Sequence, residues 1–174
     1  MRLSNELNEA LNFQVLHEYR NMHIYKMIQA YFEDLQLVNI AEYFAKQAAH
    51  ENDHANMFFD YINMRTGGEV LLLKNLDVAF DFSNLNSIMD IYVRVEEETT
   101  ASIEEIYGLA LNQKSFMDLG FLEEMLNEQV EEEDSANTFA TKIRAVKDIV
   151  LFDAMMGDNH VYKKWSKRIR KWVF

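Results

Sequence analysis

The chain has 174 residues, no cysteine, no proline, five glycines and a formal charge of −12. That length suits one domain with a full core, and the missing cysteine excludes disulfides, thiolate metal sites and cysteine nucleophiles. Few breakers point to long helices, and the acidic balance argues against nucleic-acid binding and favours attraction of cations. No apolar h-region follows Met1–Glu6, and no stretch approaches the roughly 18 uncharged apolar residues of a membrane span. A cytoplasmic protein with no membrane partner is expected.

Ser4 is the predicted N-cap of a first helix running to about Phe32, with a stripe of Leu7, Leu11, Val15, Glu18, Met22 and Tyr25 and with Gln14 beside it. Glu33–Gln36 is the turn. A second helix covers about Asn39 to Met64, its stripe Ile40, Phe44, Gln47, Glu51, His54, Phe58 and Tyr61. Gly67 and Gly68 follow, in the position that ends helices. Residues 69–85 lack a helical period and read as a long crossover, so the third helix is predicted to run parallel to the second. The third spans about Asn86 to Asn112, with Met89, Tyr92, Glu96, Thr99, Ile103, Ile106 and Ala110 in line. The fourth spans about Phe116 to Asp148, with Leu122, Met125, Gln129, Glu132, Ala136, Phe139, Ile143 and Val146. The expected fold is an all-α four-helix bundle over residues 1–148, with a short C-terminal helix and tail over 149–174.

The tail differs in kind. Residues 157–174 hold six lysines and arginines against Asp158, a formal +5, which leaves −17 on residues 1–156. Val161, Trp165 and Ile169 step by four, as on one side of a helix. Docking on the acidic body, or on a neighbouring subunit, is expected over binding a polyanion.

All four stripes carry polar residues near their middles. Glu51 lies 33 residues after Glu18, Gln129 lies 33 after Glu96, and His54 and Glu132 each follow three residues later. Taken singly, each of these residues is ordinary: a mis-phased surface glutamate, a satisfied core histidine, a solvated acidic run. Independent accidents would not share one spacing in both halves. Burying an ionised carboxylate costs on the order of several kcal/mol, and crowding several together adds repulsion. A metal removes both penalties. Carboxylates with one imidazole and no thiolate suit iron or manganese, and Glu51, between the halves, is placed to bridge two ions roughly 3.5–4 Å apart.

Glu18 with Tyr25, Glu51-Asn52-Asp53-His54, Glu96, and Glu128-Gln129-Val130-Glu131-Glu132-Glu133-Asp134 resemble prokaryotic non-haem ferritins, as do Phe59-Asp60-Tyr61 and Gly67-Gly68-Glu69-Val70. The resemblance covers about residues 5–150. It implies that Glu18, Glu51 and His54 ligate one iron, and that Glu51, Glu96 and Glu132 ligate a second. Gln129 would stand on the dioxygen side and Tyr25 would be a nearby electron or hydrogen-bond partner. It implies a ferroxidase using dioxygen or peroxide, and a hollow homo-oligomeric cage of twenty-four subunits that stores ferric mineral. A third iron position would involve Glu128, Glu131 and Glu132, with His50 where an acidic residue is common. Asn52 falls where the haem-binding branch has its methionine, so no haem is expected. Ile149–Asp153 resembles the start of the family's fifth helix. The alternatives are another di-iron or di-manganese carboxylate oxidase, or a non-catalytic helical cage or scaffold. Such oxidases often carry a second Glu-x-x-His where this chain has Gln129-Val130-Glu131-Glu132.

Overall fold

The computed structural model describes residues 2–71, 80, 82 and 84–157. It contains α1 (Asn5–Asp34), α2 (Val38–Met64), α3 (Leu85–Asn112), α4 (Phe116–Ala145) and α5 (Ile149–Gly157). Ser4 caps α1 by accepting from the Leu7 N–H at 3.1 Å. The expected stripes are the buried faces, from Leu7 to Tyr25 on α1 and from Leu122 to Ile143 on α4. The α1–α2 and α3–α4 turns are tight, each with one residue in the left-handed region, Gln36 (φ 59°) and Lys114 (φ 55°).

Contacts fix the directions. Tyr25 meets Tyr92, Gln14 meets Ser102 and Ser4 meets Gln113, so α1 and α3 are antiparallel. Tyr25 and Phe32 meet Phe44 while Leu7 lies in one cluster with Ile62, so α1 and α2 are also antiparallel. α2 and α3 are therefore parallel, as the crossover required. A 27-residue helix is about 40 Å long, and the connecting residues 65–84 can reach about 66 Å. The described parts of that connection are pinned to the bundle. Asn8 and Asn12 hold the backbone of Glu69 and Leu71, and the Arg20 and Arg94 guanidinium groups lie 5.1 and 5.3 Å from the centre of the Phe80 ring.

The core comes in two parts. One end of the bundle holds Ile24, Ile28, Phe32, Ile40, Phe44, Tyr92 and Phe139. The other holds Leu7, Leu11, Val15, Phe58, Ile62, Ile103, Leu122 and Met125. Each such side chain contributes roughly 1.5–3 kcal/mol on burial. The layer between them is polar, and it is there that the charged stripe residues lie.

The fourth helix stops earlier than the sequence pattern implied. Val146 is extended (φ −74°, ψ 136°), and the Asp148 carboxylate accepts from the Val150 and Leu151 N–H groups at 3.0 Å each. Asp148 thus serves the start of α5 rather than the end of α4. α5 then completes α2. Leu37 cannot cap α2 with its side chain, and Asp153 accepts instead from the backbone N–H groups of Asn39 and Ile40 at 2.9 and 2.8 Å and from the Asn39 amide at 2.9 Å. The expected basic tail, residues 158–174, lies outside the described residues. Among the described residues no helix is long and apolar enough to cross a membrane.

Candidate metal centre

The 3.6-residue period puts Glu18 on the inner face of α1, Glu51 and His54 on that of α2, Glu96 on that of α3 and Gln129 on that of α4. All five are at most 2 % exposed. One ligand atom each from Glu18, Glu51 and His54 falls within 4.8 Å of the other two. Glu96 accepts a short hydrogen bond from the Tyr25 hydroxyl. Gln129 donates to the Glu96 carbonyl and the Thr100 hydroxyl, both at 3.4 Å, which ties α4 to α3. Glu132 accepts from His50 Nδ1 at 2.6 Å and from the Gln47 amide at 3.3 Å. His54 Nε2 and Glu128 Oε2 approach to 3.2 Å at an angle that leaves both without a hydrogen bond. The His50 and His54 rings lie 4.3 Å apart. Glu131 is on the exposed face of α4, apart from the others.

The electrostatics show a layer under strain. Burial pushes the Glu18 carboxyl up. Burial, then the Glu96 and Glu18 charges, raise Glu51 well above the carboxylate range. Glu96 is raised to about 8 by burial and by Glu132. Burial lowers His54, keeping it neutral and fit to ligate a cation. Burial opposes ionisation of Glu132 too, yet its hydrogen bond from His50 and the His50 charge hold it below the usual range. His50 is raised, first by its bond to Glu132. Among the described residues the paired arginines lie elsewhere: Arg20 and Arg94 pair with Glu98, Arg65 with Asp118 and Arg144 with Asp90.

The orphaned atoms give the direct test of whether a metal fits. Among the described residues the buried side-chain atoms without a hydrogen-bond partner are Glu18 Oε2, Asn21 Oδ1, His54 Nε2, Glu96 Oε2 and Glu128 Oε2. Every one belongs to this layer or borders it. Buried polar atoms are satisfied in the great majority of cases, and carboxylate and imidazole atoms left over within one layer are the kind of ligand a divalent cation takes. The donor set, oxygen-rich with one nitrogen and no sulfur, suits iron or manganese.

Sequence reasoning overlooked part of the layer. Asn21 and His17 on α1 are buried and both meet the Thr99 hydroxyl on α3, at 2.8 and 3.1 Å. Asn21 lies three residues after Glu18, the same offset that links Glu51 to His54. Thr99 stood in the expected stripe without a role.

Known proteins are similar to this one along most of the chain. The bacterial non-heme ferritin of Staphylococcus haemolyticus (strain JCSC1435) is 31% identical over 147 residues, covering 84% of this chain and 87% of its own. That of Staphylococcus aureus (strain USA300) is 31% identical over 159 residues, covering 89% and 95%. An open-pore ferritin from the hyperthermophilic archaeon Archaeoglobus fulgidus superposes with a TM-score of 0.83 at 26% identity, over 90% of this chain and 98% of its own. The model of the ferritin-like domain matches residues 8–146. The bundle with its long crossover, the polar layer between two apolar clusters and these matches agree, and the chain belongs to the ferritin-like domain family.

Proposed function

We propose that this chain oxidises Fe(II) at a two-metal site within each subunit and stores the ferric product inside a hollow shell of its own copies. Glu18, Glu51 and His54 would hold one ion, and Glu51, Glu96 and Glu132 the second, with Glu51 between them. Two Fe(II) ions supply one electron each, which reduces dioxygen to hydrogen peroxide with uptake of two protons, or reduces peroxide itself to water.

The chain's own groups have separable parts in this. The Tyr25 hydroxyl fixes one oxygen of Glu96 and leaves the orphaned Oε2 for metal. Gln129 holds the α3 backbone at Glu96 and brings an amide to the layer. Gln47 and His50 orient Glu132. Glu128 and His50, with Glu131 further out, line the approach to a third, weaker position. The apolar clusters above and below exclude water, which strengthens each electrostatic interaction within.

The observation that carries this reading is the set of unpartnered buried donors on Glu18, His54, Glu96 and Glu128. The ferritin names of the relatives supply the storage role, and a twenty-four-subunit cage and a cytoplasmic setting belong to the same proposal. The test is anaerobic addition of Fe(II) followed by air, read by ferric absorbance, with the mass of the assembly measured by light scattering. Rapid oxidation by a large hollow assembly is expected. Oxidation no faster than in buffer would overturn the enzymatic part, and a monomer would overturn the cage.

A further inference from the structure

Two carboxylates of the layer are gripped from the same side by the same device. Gln14, four residues before Glu18 on α1, donates from Nε2 to Glu18 Oε1 at 2.7 Å, and its own carbonyl accepts from the Ser102 hydroxyl of α3 at 2.5 Å. Asn21, three residues after Glu18, donates from Nδ2 to the Thr99 hydroxyl of α3 at 2.8 Å and to Glu51 Oε2 at 3.4 Å. Each arrangement is a carboxylate, an amide on α1 and a hydroxyl on α3.

The hydrogen-bond inventory leaves Thr99 little freedom. Its hydroxyl donates back to the Val95 carbonyl at 2.9 Å, so its oxygen is left to accept. It accepts from Asn21 and, at 3.1 Å, from His17 Nε2, which fixes His17 as the neutral tautomer protonated there. Burial, then the Arg20 charge, lower His17 to about 4, in keeping with a neutral ring. The Arg20–Glu98 ion pair at 3.3 Å lies alongside. Thr99 cannot rotate without breaking three bonds, and Asn21 cannot turn without leaving Thr99.

We propose that Asn21 and Thr99 are positioning residues that hold Glu51, as Gln14 and Ser102 hold Glu18, so that each carboxylate presents a single oxygen to the first metal ion. This rests on the metal-site reading above. The chemistry of the grip supports it. An amide orients a carboxylate but leaves its negative charge intact for a cation, whereas a lysine or arginine in the same place would neutralise it. Glu18 shows the result: Oε1 is taken by Gln14 and Oε2 is buried with no partner. Outer partners of this kind set ligand orientation, and their loss typically weakens metal binding about 10–100-fold.

The experiment uses the full chain and two probes, Zn(II) followed by titration calorimetry and Co(II) followed by its visible absorbance. Thr99→Val keeps the shape of the side chain and removes the hydroxyl. Asn21→Leu keeps the volume and removes the amide, and it reports independently if Thr99→Val does not fold. Thr99→Ser restores the hydroxyl alone. Thr99→Val and Asn21→Leu are expected to weaken the tightest Zn(II) equivalent about 10–100-fold and to change the Co(II) band, with Thr99→Ser returning both to the wild-type values. Wild-type affinity and an unchanged Co(II) band in both variants would overturn the positioning role while leaving the metal site standing. A wild-type chain that binds neither probe would overturn the metal reading itself.

Discussion

On the α1–α3 side of the polar layer the groups that touch Glu18 and Glu51 are neutral and buried, Gln14 and Asn21, with the buried Thr99 and the half-buried Ser102 behind them. On the α2–α4 side the groups are ionisable and half open: the His50 and Glu128 side chains are 44% and 42% exposed, and they meet Glu132 and His54. The first side is a fixed wall with one atom left over at Asn21 Oδ1. The second is where solvent reaches the layer. A cation site needs both, since rigid ligands supply affinity and an open side supplies exchange. On the metal reading proposed above, the layer would divide the two tasks between two helix pairs.

The largest expected effect comes from removing the residue that both sides share. Glu51→Ala should reduce rapid Fe(II) oxidation more than about 100-fold, beyond what outer partners cost. The metal-free fold should survive, because removing one carboxylate relieves repulsion. Stopped-flow absorbance at wild-type rates in that variant would dissolve the comparison, since neither wall would then serve a metal.

Changing the open side should act more gently. His50→Glu replaces the donor to Glu132 with an anion. Glu132 loses the bond that holds it low, the metal-free protein loses stability, and the outer position near Glu128 gains an oxygen ligand. The expected gain in metal affinity there is about tenfold or less, at the low end of what outer changes produce. Site occupancy in iron-soaked crystals reads it, and unchanged occupancy would show that His50 serves only Glu132.

A pH series sharpens the contrast without mutation. Glu96 is raised to about 8 when folded, so the folded chain holds a proton that the unfolded chain has lost. Stability from such a group is present at low pH and is lost as pH rises toward 8. His50, raised by Glu132, has the same sign. The lowered histidines, His17 and His54, act oppositely but only below their ordinary 6.5. Between pH 6.5 and 8 the melting temperature of metal-free protein should therefore fall, by about 3–5 °C per pH unit for each excess proton held. Saturating Zn(II) should flatten or reverse that slope. A flat metal-free profile would mean the carboxylates are not crowded.

The smallest effect lies away from both sides. Asp153→Ala removes the only side-chain cap described at the start of α2. It should cost about 1 kcal/mol, or roughly 2–4 °C in Tm, and leave Fe(II) oxidation unchanged. Slower oxidation would show that α5 reaches the layer.

The sequence carried the bundle because its signals were periodic. Leu7 to Tyr25, Ile40 to Tyr61 and Leu122 to Ile143 repeat every three or four residues with no proline to interrupt them, and the triplets Glu18, Glu51, His54 and Glu96, Gln129, Glu132 share their spacings. The grip on the α1–α3 side was illegible for a physical reason. Asn21, His17 and Thr99 gain meaning only from contacts across 78 to 82 residues of chain, and an asparagine or threonine in a helix seam has no preferred reading of its own. The end of α4 was missed likewise. Nothing in Ala145–Asp148 breaks a helix by composition, and the carboxylate of Asp148 caps α5 instead. Glu131, one residue before Glu132, lies on the surface, because a single step round the helix carries it out of the layer.

The central claim is that the layer between the two apolar clusters holds two metal ions. Crystals soaked anaerobically in Fe(II), with anomalous diffraction recorded at the iron edge, test it most directly. The account predicts two peaks roughly 3.5–4 Å apart, one among Glu18, Glu51 and His54 and the other among Glu51, Glu96 and Glu132, with a weaker third only on the side of His50 and Glu128. Peaks confined to the outer acidic surface, with none between the clusters, would contradict it.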